Sequence, residues 1–168
     1  MKDKLSWRPA RTPDAAVIGA LSRALVTAPP ERDEVFAERI TLCPAGCRVY
    51  GAGETVAGYV ISHPWPRFAP PALGALVGAL PPESDSWFIH DLALAPEARG
   101  AGVVAAVLEE LEAAAQGLPA MSLVAVEAAA AYWRRRGFVD RSTPQMAAKL
   151  AGYGPGALYM ERDLPARR

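Results

Sequence analysis

His90 and Asp91 stand side by side in the segment HDLALAPEARGAGVV, one short apolar run ahead of Pro96 and of Arg99-Gly100-Ala101-Gly102. The two ends of this segment suit two chemistries. Histidine is the side chain whose ordinary pKa lets it gain and lose a proton near neutrality, so His90 is a candidate base, acting directly or through a water. Pro96 ends strand pairing, and the glycines let backbone approach a ligand closely. Successive N–H groups are left at a helix start, where the dipole favours a phosphate. Arg99 adds a positive charge there.

Other residues carry weaker chemical signals. Cys43 and Cys47 in CPAGC, with His63 and His90, are all the cysteines and histidines of the chain. A four-ligand zinc site would consume every one of them, and the His63 to His90 spacing does not fit a finger, so no metal is expected. Idle thiols in a reducing compartment are the plainer reading. Glu31, Asp33, Glu34 and Glu38 form an acidic run that reads first as a solvated helix face and second as an acidic wall for a cationic substrate. Trp65, Phe68 and Trp87 read first as anchors of a loop and second as a pocket lining.

The bulk numbers set the frame. A chain of 168 residues is expected to form a single domain over 1–168. Eighteen basic residues balance 18 acidic ones, so no overall basic field points to nucleic acid and a small partner is expected. MKDKLSWRPA has no apolar core of a signal peptide, and PALGALVGAL falls far short of the roughly 20 residues of a membrane span. The expected location is cytoplasmic and away from membranes. If the chain associates with itself, a homodimer is the expected form.

Hydrophobic periodicity positions the chemistry. KLSWRPA reads as a short strand, and Thr12 as the N-cap of a helix running through Val17, Leu21 and Leu25. A second helix is expected over Glu31 to Arg39. CRVYGAGETVAGYVISHP gives two alternating runs around GAGE, a hairpin. Residues 63–85 are dense in proline, which excludes a central strand position and leaves a long excursion with a short helix at most, near Leu73 to Leu80. SWFIHDLALAP is the next strand. From Arg99 a helix turns Val103, Val104, Val107, Leu108 and Leu111 to one face and Glu109, Glu110 and Glu112 to the other. AMSLVAV is a buried strand, EAAAAYWRRR a helix stopped by Gly137, and FVDRS and GALYMERDL close the chain as strands. This order specifies a mixed α/β sheet.

Gly100, Gly102 and Ala105 also satisfy G-x-G-x-x-(G/A), with Glu127 near the place of a ribose-binding carboxylate. Context argues against a dinucleotide fold: a hairpin precedes the turn, and one strand-helix unit follows it. Pro96-x-x-Arg99-Gly100-x-Gly102, between LALA and an amphipathic helix, instead resembles the acyl-CoA-binding motif of the Gcn5-related N-acetyltransferase superfamily. AAAAYWRRRGF is similar to that family's second motif, and the order of elements matches over essentially the whole chain. The resemblance implies a mostly antiparallel twisted sheet of about six to seven strands flanked by about four helices.

The same resemblance assigns expected roles. Backbone from Arg99 through Gly100, Ala101, Gly102, Val103 and Val104 would cradle the coenzyme A pyrophosphate. Val104 stands where Gly or Ala is usual, which narrows the cradle. The strand would splay from its neighbour at a bulge, and backbone near Leu92, Ala93 and Leu94 would bond the pantetheine amides and the developing oxyanion. His90 would take the proton of the acceptor amine. Strand alternation sets Asp91 on the opposite face, so Asp91 is not expected to orient it. The tyrosine that helps the thiolate leave is replaced by Trp133. Tyr132 points about 100° away and Tyr153 lies further on, so these two or a water are the candidate donors. Trp133 would pack beside the pantetheine. Arg135 would reach a phosphate, or serve only the helix dipole.

The expected function is transfer of an acetyl group from acetyl-CoA to a primary amine of a small molecule or peptide, by direct attack and without a metal. Neither cysteine lies near the signature strand, which argues against a cysteine-bound intermediate. The competing reading is a catalytically weak acyl-CoA-binding sensor or interaction module, motivated by Trp133. The acidic run and aromatic excursion suggest a cationic or amphipathic acceptor.

Overall fold

Alternation of buried and half-buried side chains along Cys47–Ala52 (β2) marks it as a strand with a covered face. In the computed structural model, which describes residues 3–166, β2 lies between Ser6–Pro9 (β1) and Thr55–Trp65 (β3), antiparallel to both. Ser86–Leu94 (β4) pairs antiparallel with β3 and parallel with Ala120–Ala125 (β5). Val139–Asp140 (β6) and Leu158–Asp163 (β7) complete a seven-stranded sheet of order β1-β2-β3-β4-β5-β7-β6.

The helices are Ala15–Leu25 (α1), Asp33–Leu42 (α2), Val103–Ala114 (α3), Ala130–Arg134 (α4) and Ala147–Tyr153 (α5). α1 and α2 cover one face, where Ile18, Phe36 and Ile40 pack with Val49, Tyr59 and Ile61. α3 and α4 cover the other, burying Val107, Leu108, Leu111 and Trp133 against Val60, Ile89 and Leu123. α5 lies on the α1 side, since its Leu150 and Tyr153 meet Val124 and Tyr159 while Leu123 and Ala125 belong to the opposite core. No helix among the described residues is long and apolar enough to cross a membrane.

Several boundaries differ from the sequence reading, each for a local reason. Thr12 is not the cap: Thr12–Asp14 is a 3-10 turn capped by Arg11, whose N–H donates to Asp14 Oδ2 at 2.7 Å. Helix α2 starts at Asp33, which leaves Glu31 outside it. A Cβ on Gly19 would stand 1.9 Å from Asp33 Oδ1, so a larger residue there would have to displace the Asp33 side chain at the start of α2. Pro64 does sit in a strand, opposite Trp87. Pairing of β2 ends at Cys47–Ile61, so β3 has outrun its neighbour and the missing proline N–H has no partner to lose.

The excursion therefore begins after Trp65, and it holds no helix at Leu73 to Leu80. Its backbone is held by side chains instead. The Tyr153 hydroxyl donates to Pro71 O at 2.6 Å, Gly74 N–H to Glu31 at 2.8 Å, and Arg39 to Ala75 O at 3.1 Å. Glu38 accepts from the N–H groups of Val77 and Gly78 at 2.8 and 3.0 Å. Helix α3 begins at Val103 rather than Arg99, because Gly102 with φ 83° forms its cap. Helix α5 was not expected. Its seven residues show a stripe too short to read against two flanking turns.

Candidate active site

The site is built around one irregularity in β4. Ile61 pairs with Asp91 but Ser62 pairs with Ile89, which leaves His90 as an extra residue in the strand, a β-bulge. The bulge overturns the alternation expected from sequence. His90 and Asp91 both reach toward the α1–α2 side: Asp91 accepts from the Tyr59 hydroxyl at 2.7 Å and from Ser22 on α1 at 3.3 Å. His90 meets Glu31. Its Nε2 lies 2.8 and 3.1 Å from the two carboxylate oxygens.

These groups are out of solvent, with side-chain exposures of 0% for His90 and 4% for Glu31. Burial pushes the Glu31 pKa upward, but the bonds and charge of His90, the Gly74 N–H and the charge of Arg39 outweigh it, so Glu31 sits below the usual carboxylate range. An ionised carboxylate accepts only, so His90 donates through Nε2–H, and Nδ1 is the nitrogen left to accept a proton when the ring is neutral. That Nδ1 is buried and has no hydrogen-bond partner, as is His63 Nε2, and the two rings lie 6.4 Å apart between centroids. The His63 Nδ1–H donates to Pro64 O at 3.0 Å, and burial lowers the His63 pKa to about 3. Burial pushes Asp91 up, against the Tyr59 bond and the charge of His90.

Immediately past the bulge the sheet opens. The β4–β5 ladder runs from Ser86–Ala120 to Ile89–Leu123 and stops, so Leu92, Ala93 and Leu94 have no partner on β5, which continues to Ala125. A cleft of about 590 Å³ enters this gap. His90, Leu92, Ala93, Leu94, Arg99 and Val104 line it from β4 and the turn that follows. Tyr132, Trp133 and Tyr153 line it from α4 and α5, and Ser22, Glu31 and Asp91 from the bulge side.

The Gly-rich turn lies at the mouth. Gly100, Ala101 and Gly102 are exposed and outside the cleft lining, and nothing lies within 4 Å of where a Gly102 Cβ would stand. Arg99 is exposed and its Nε donates to Leu94 O at 3.1 Å, fastening the turn to the open strand. Val103 O accepts the Trp7 indole N–H at 2.9 Å, which fixes the start of α3. Val104 is 7% exposed and belongs to the core as well as the cleft.

The candidate proton donors are differently placed. The Tyr153 hydroxyl is committed to Pro71 O, and burial pushes its pKa up. Tyr132 is half-buried with the Arg136 guanidinium 3.6 Å above its ring, and burial raises its pKa against the charges of Arg136 and Arg135. Trp133 is buried against Phe138. Arg135 is exposed and does not line the cleft. Trp65, Phe68 and Trp87 lie outside the lining, and the indoles of Trp65 and Trp87 bond Ala69 O and Ser62 Oγ as anchors.

Glu31, Ser22 and Tyr59 are the site residues that sequence reasoning did not place. Glu31 was visible only as one acid of a run, and its distance of 59 residues from His90 hides the pairing.

No curated protein matches the sequence. Among solved structures, the chain is similar to Ard1 from Thermoplasma volcanium (14% identity, 96% of this chain and 98% of that one, TM-score 0.71). It is also similar to the GNAT-like decarboxylase GphF in complex with isobutyryl-CoA (17% identity, 95% and 100%, TM-score 0.71). A third is Arabidopsis thaliana Naa50 in complex with the bisubstrate analogue CoA-Ac-MVNAL (13% identity, 94% and 97%, TM-score 0.64). These likenesses establish the fold. The sequence itself matches the model of the acetyltransferase (GNAT) family over residues 16–138, most of its length, and the chain belongs to that family.

Proposed function

We propose that the protein transfers an acetyl group from acetyl-CoA to a primary amine by direct attack. The observation that carries this reading is the coincidence, on one strand, of an open backbone edge at Leu92–Leu94 and a buried His90–Glu31 pair at the bulge where that edge begins. A donor and a base are thereby addressed from the same point.

The residues suit acyl-CoA as a substrate. The unpaired edge of β4 offers peptide groups to pantetheine amides, and the exposed Gly102 turn at the start of α3 offers N–H groups to a pyrophosphate, with Arg99 beside it. Acetyl-CoA brings a thioester carbonyl open to attack. An N–H of the free edge is the natural donor to charge developing on that carbonyl oxygen.

The acceptor must lose a proton first, because an ammonium with a pKa of about 10.4 is neutral only about once in a thousand molecules at pH 7. Glu31 holds His90 in the tautomer with Nδ1 bare, and the negative carboxylate favours the imidazolium that forms. Since His90 is fully buried, the proton reaches Nδ1 by way of water. Attack forms the amide C–N bond and breaks the C–S bond. A thiol pKa of about 8.5 makes the departing thiolate tolerable without a strong acid, consistent with the raised pKa values of Tyr132 and Tyr153.

Trp133 at the usual tyrosine position favours a second reading, an acyl-CoA-binding module with little turnover. Release of CoA thiol from acetyl-CoA across a broad amine panel separates the two. Calorimetric binding of acetyl-CoA without thiol release above background would sink the enzyme reading, and heat from NADH would sink both.

A further inference from the structure

The acceptor end of the cleft carries two acids and one imidazole, His90, which Glu31 already holds. Beyond the bulge, on the α1–α2 side, the acidic side chains that line it are Glu31 and Asp91, near enough in space to act on each other electrostatically. Among the described residues Arg99 is the one arginine or lysine in the lining, and it is fastened to Leu94 O at the other end, beside the Gly-rich turn. Arg39, whose charge acts on Glu31 less than that of His90, does not line the cleft. It is spent on Glu38 and on the Ala75 carbonyl.

The rest of that end is apolar. Val26 and Pro29, from the connection between α1 and α2, line the cleft together with Leu73 of the excursion. This wall is held in place, because Gly74 donates to the same Glu31 carboxylate that holds His90. Charge at the bottom and hydrocarbon along the side therefore come as one preformed unit.

Building on the acetyl-transfer reading, we infer that the acceptor is a primary amine on an apolar stem, without a carboxylate on the carbon that bears the amine. An ammonium entering the pocket meets two carboxyl groups, Glu31 and Asp91, whose oxygens accept its hydrogen bonds and favour its charge. An α-amino acid brings its own carboxylate beside Glu31 and Asp91, where His90 is already paired with Glu31 and no arginine or lysine among the described residues lines that end, and like charges brought together out of water repel strongly. The apolar wall adds to the preference. Each stem methylene buried there is worth about three- to fourfold in affinity.

The test compares acceptors that differ only in the carboxylate: phenethylamine against phenylalanine, and pentylamine against norleucine, with CoA thiol release followed at fixed acetyl-CoA. The inference expects kcat/KM for each amine to exceed that of its amino acid by at least about tenfold, and to rise from propylamine to pentylamine. Asp91→Asn should narrow the gap within each pair. The wild-type panel decides the matter even if that variant does not fold. Equal or reversed preference overturns the inference, as does acetyl-CoA binding with no transfer to any simple amine. Calorimetry run beside the kinetics keeps the two levels apart: absence of acetyl-CoA binding would remove the acetyl-transfer reading itself.

Discussion

His90 Nε2 lies 2.8 Å from Glu31 Oε1, so a residue from the connection between two helices completes a group on the fourth strand of the sheet. The bond fixes which imidazole nitrogen donates to Glu31. It also makes His90 only as well placed as Glu31. His90→Ala should lower kcat/KM by about 10²–10⁴-fold while leaving the Kd for acetyl-CoA nearly unchanged, measured by thiol release and calorimetry. Glu31→Ala should cost about 1–3 kcal/mol of stability at pH 7, since it strands a buried imidazole donor and the Gly74 N–H. The folded pKa of Glu31 is depressed, so its contribution is present above about pH 4.5 and is lost as pH falls through the folded value. Urea titrations of wild type and variant should converge on that side.

His63 acts in a different window. Its pKa falls from 6.5 to about 3 because burial disfavours the imidazolium, so between those values the unfolded chain binds a proton that the folded chain refuses. Stability should therefore drop on acidification from pH 7 to 5, by up to about 1.4 kcal/mol per pH unit from this residue. Replacing it with a non-titrating ring, His63→Phe, should flatten that slope. Chemical denaturation at three pH values suffices, and an unchanged slope would show that the imidazole titrates in the fold as it does in the unfolded chain.

At the Gly-rich turn, Gly102 has φ 83° with open space around the missing Cβ, so Gly102→Ala introduces backbone strain of about 1–2 kcal/mol rather than a clash. The expected result is a weaker Kd for acetyl-CoA with little change in kcat at saturation. Gly53→Ala is the matched control, since Gly53 also has positive φ and open space but lies in the β2–β3 hairpin. Loss of CoA affinity in both variants would mean that general loosening, not the cradle, is responsible.

Tyr153→Phe separates wall from acid. Removing the hydroxyl breaks the 2.6 Å bond to Pro71 O and frees one tether of the excursion. If Tyr153 serves as a tether, KM for the amine rises several-fold, kcat holds and stability falls by about 0.5–1.5 kcal/mol. If Tyr153 protonates the leaving thiolate, kcat falls instead and its alkaline limb disappears from the pH profile.

What sequence could and could not reveal follows from the range of each interaction. The strand at Ser86–Leu94 and the helix face of Val104, Val107, Leu108 and Leu111 are local patterns, legible within one element, whereas the Gly102 cap that moves the helix start from Arg99 to Val103 depends on a backbone angle the pattern does not carry. The bulge at His90 is a mismatch between two strands, so no reading of β4 alone contains it, and alternation set Asp91 on the wrong face. Pro64 misled for the same reason. Its place in β3 is allowed by where β2 ends, a fact written elsewhere in the chain. The excursion carries no helix because its backbone groups are satisfied by Glu31, Glu38, Arg39 and Tyr153, none of which belongs to it.

The early stop of the β4–β5 ladder has a consequence for solubility. A strand with one side unpaired in the middle of a sheet is an internal edge, with the same templating hazard that proteins commonly suppress at outer edges with charge or proline. Here the stretch unpaired toward β5 is Leu-Ala-Leu, which carries neither. An acyl-CoA lying in the gap would satisfy those peptide groups and add its binding free energy to the folded state. Aggregation on heating should therefore recede as acetyl-CoA is raised, so the ligand that supplies the acyl group would also act as the sheet's missing strand.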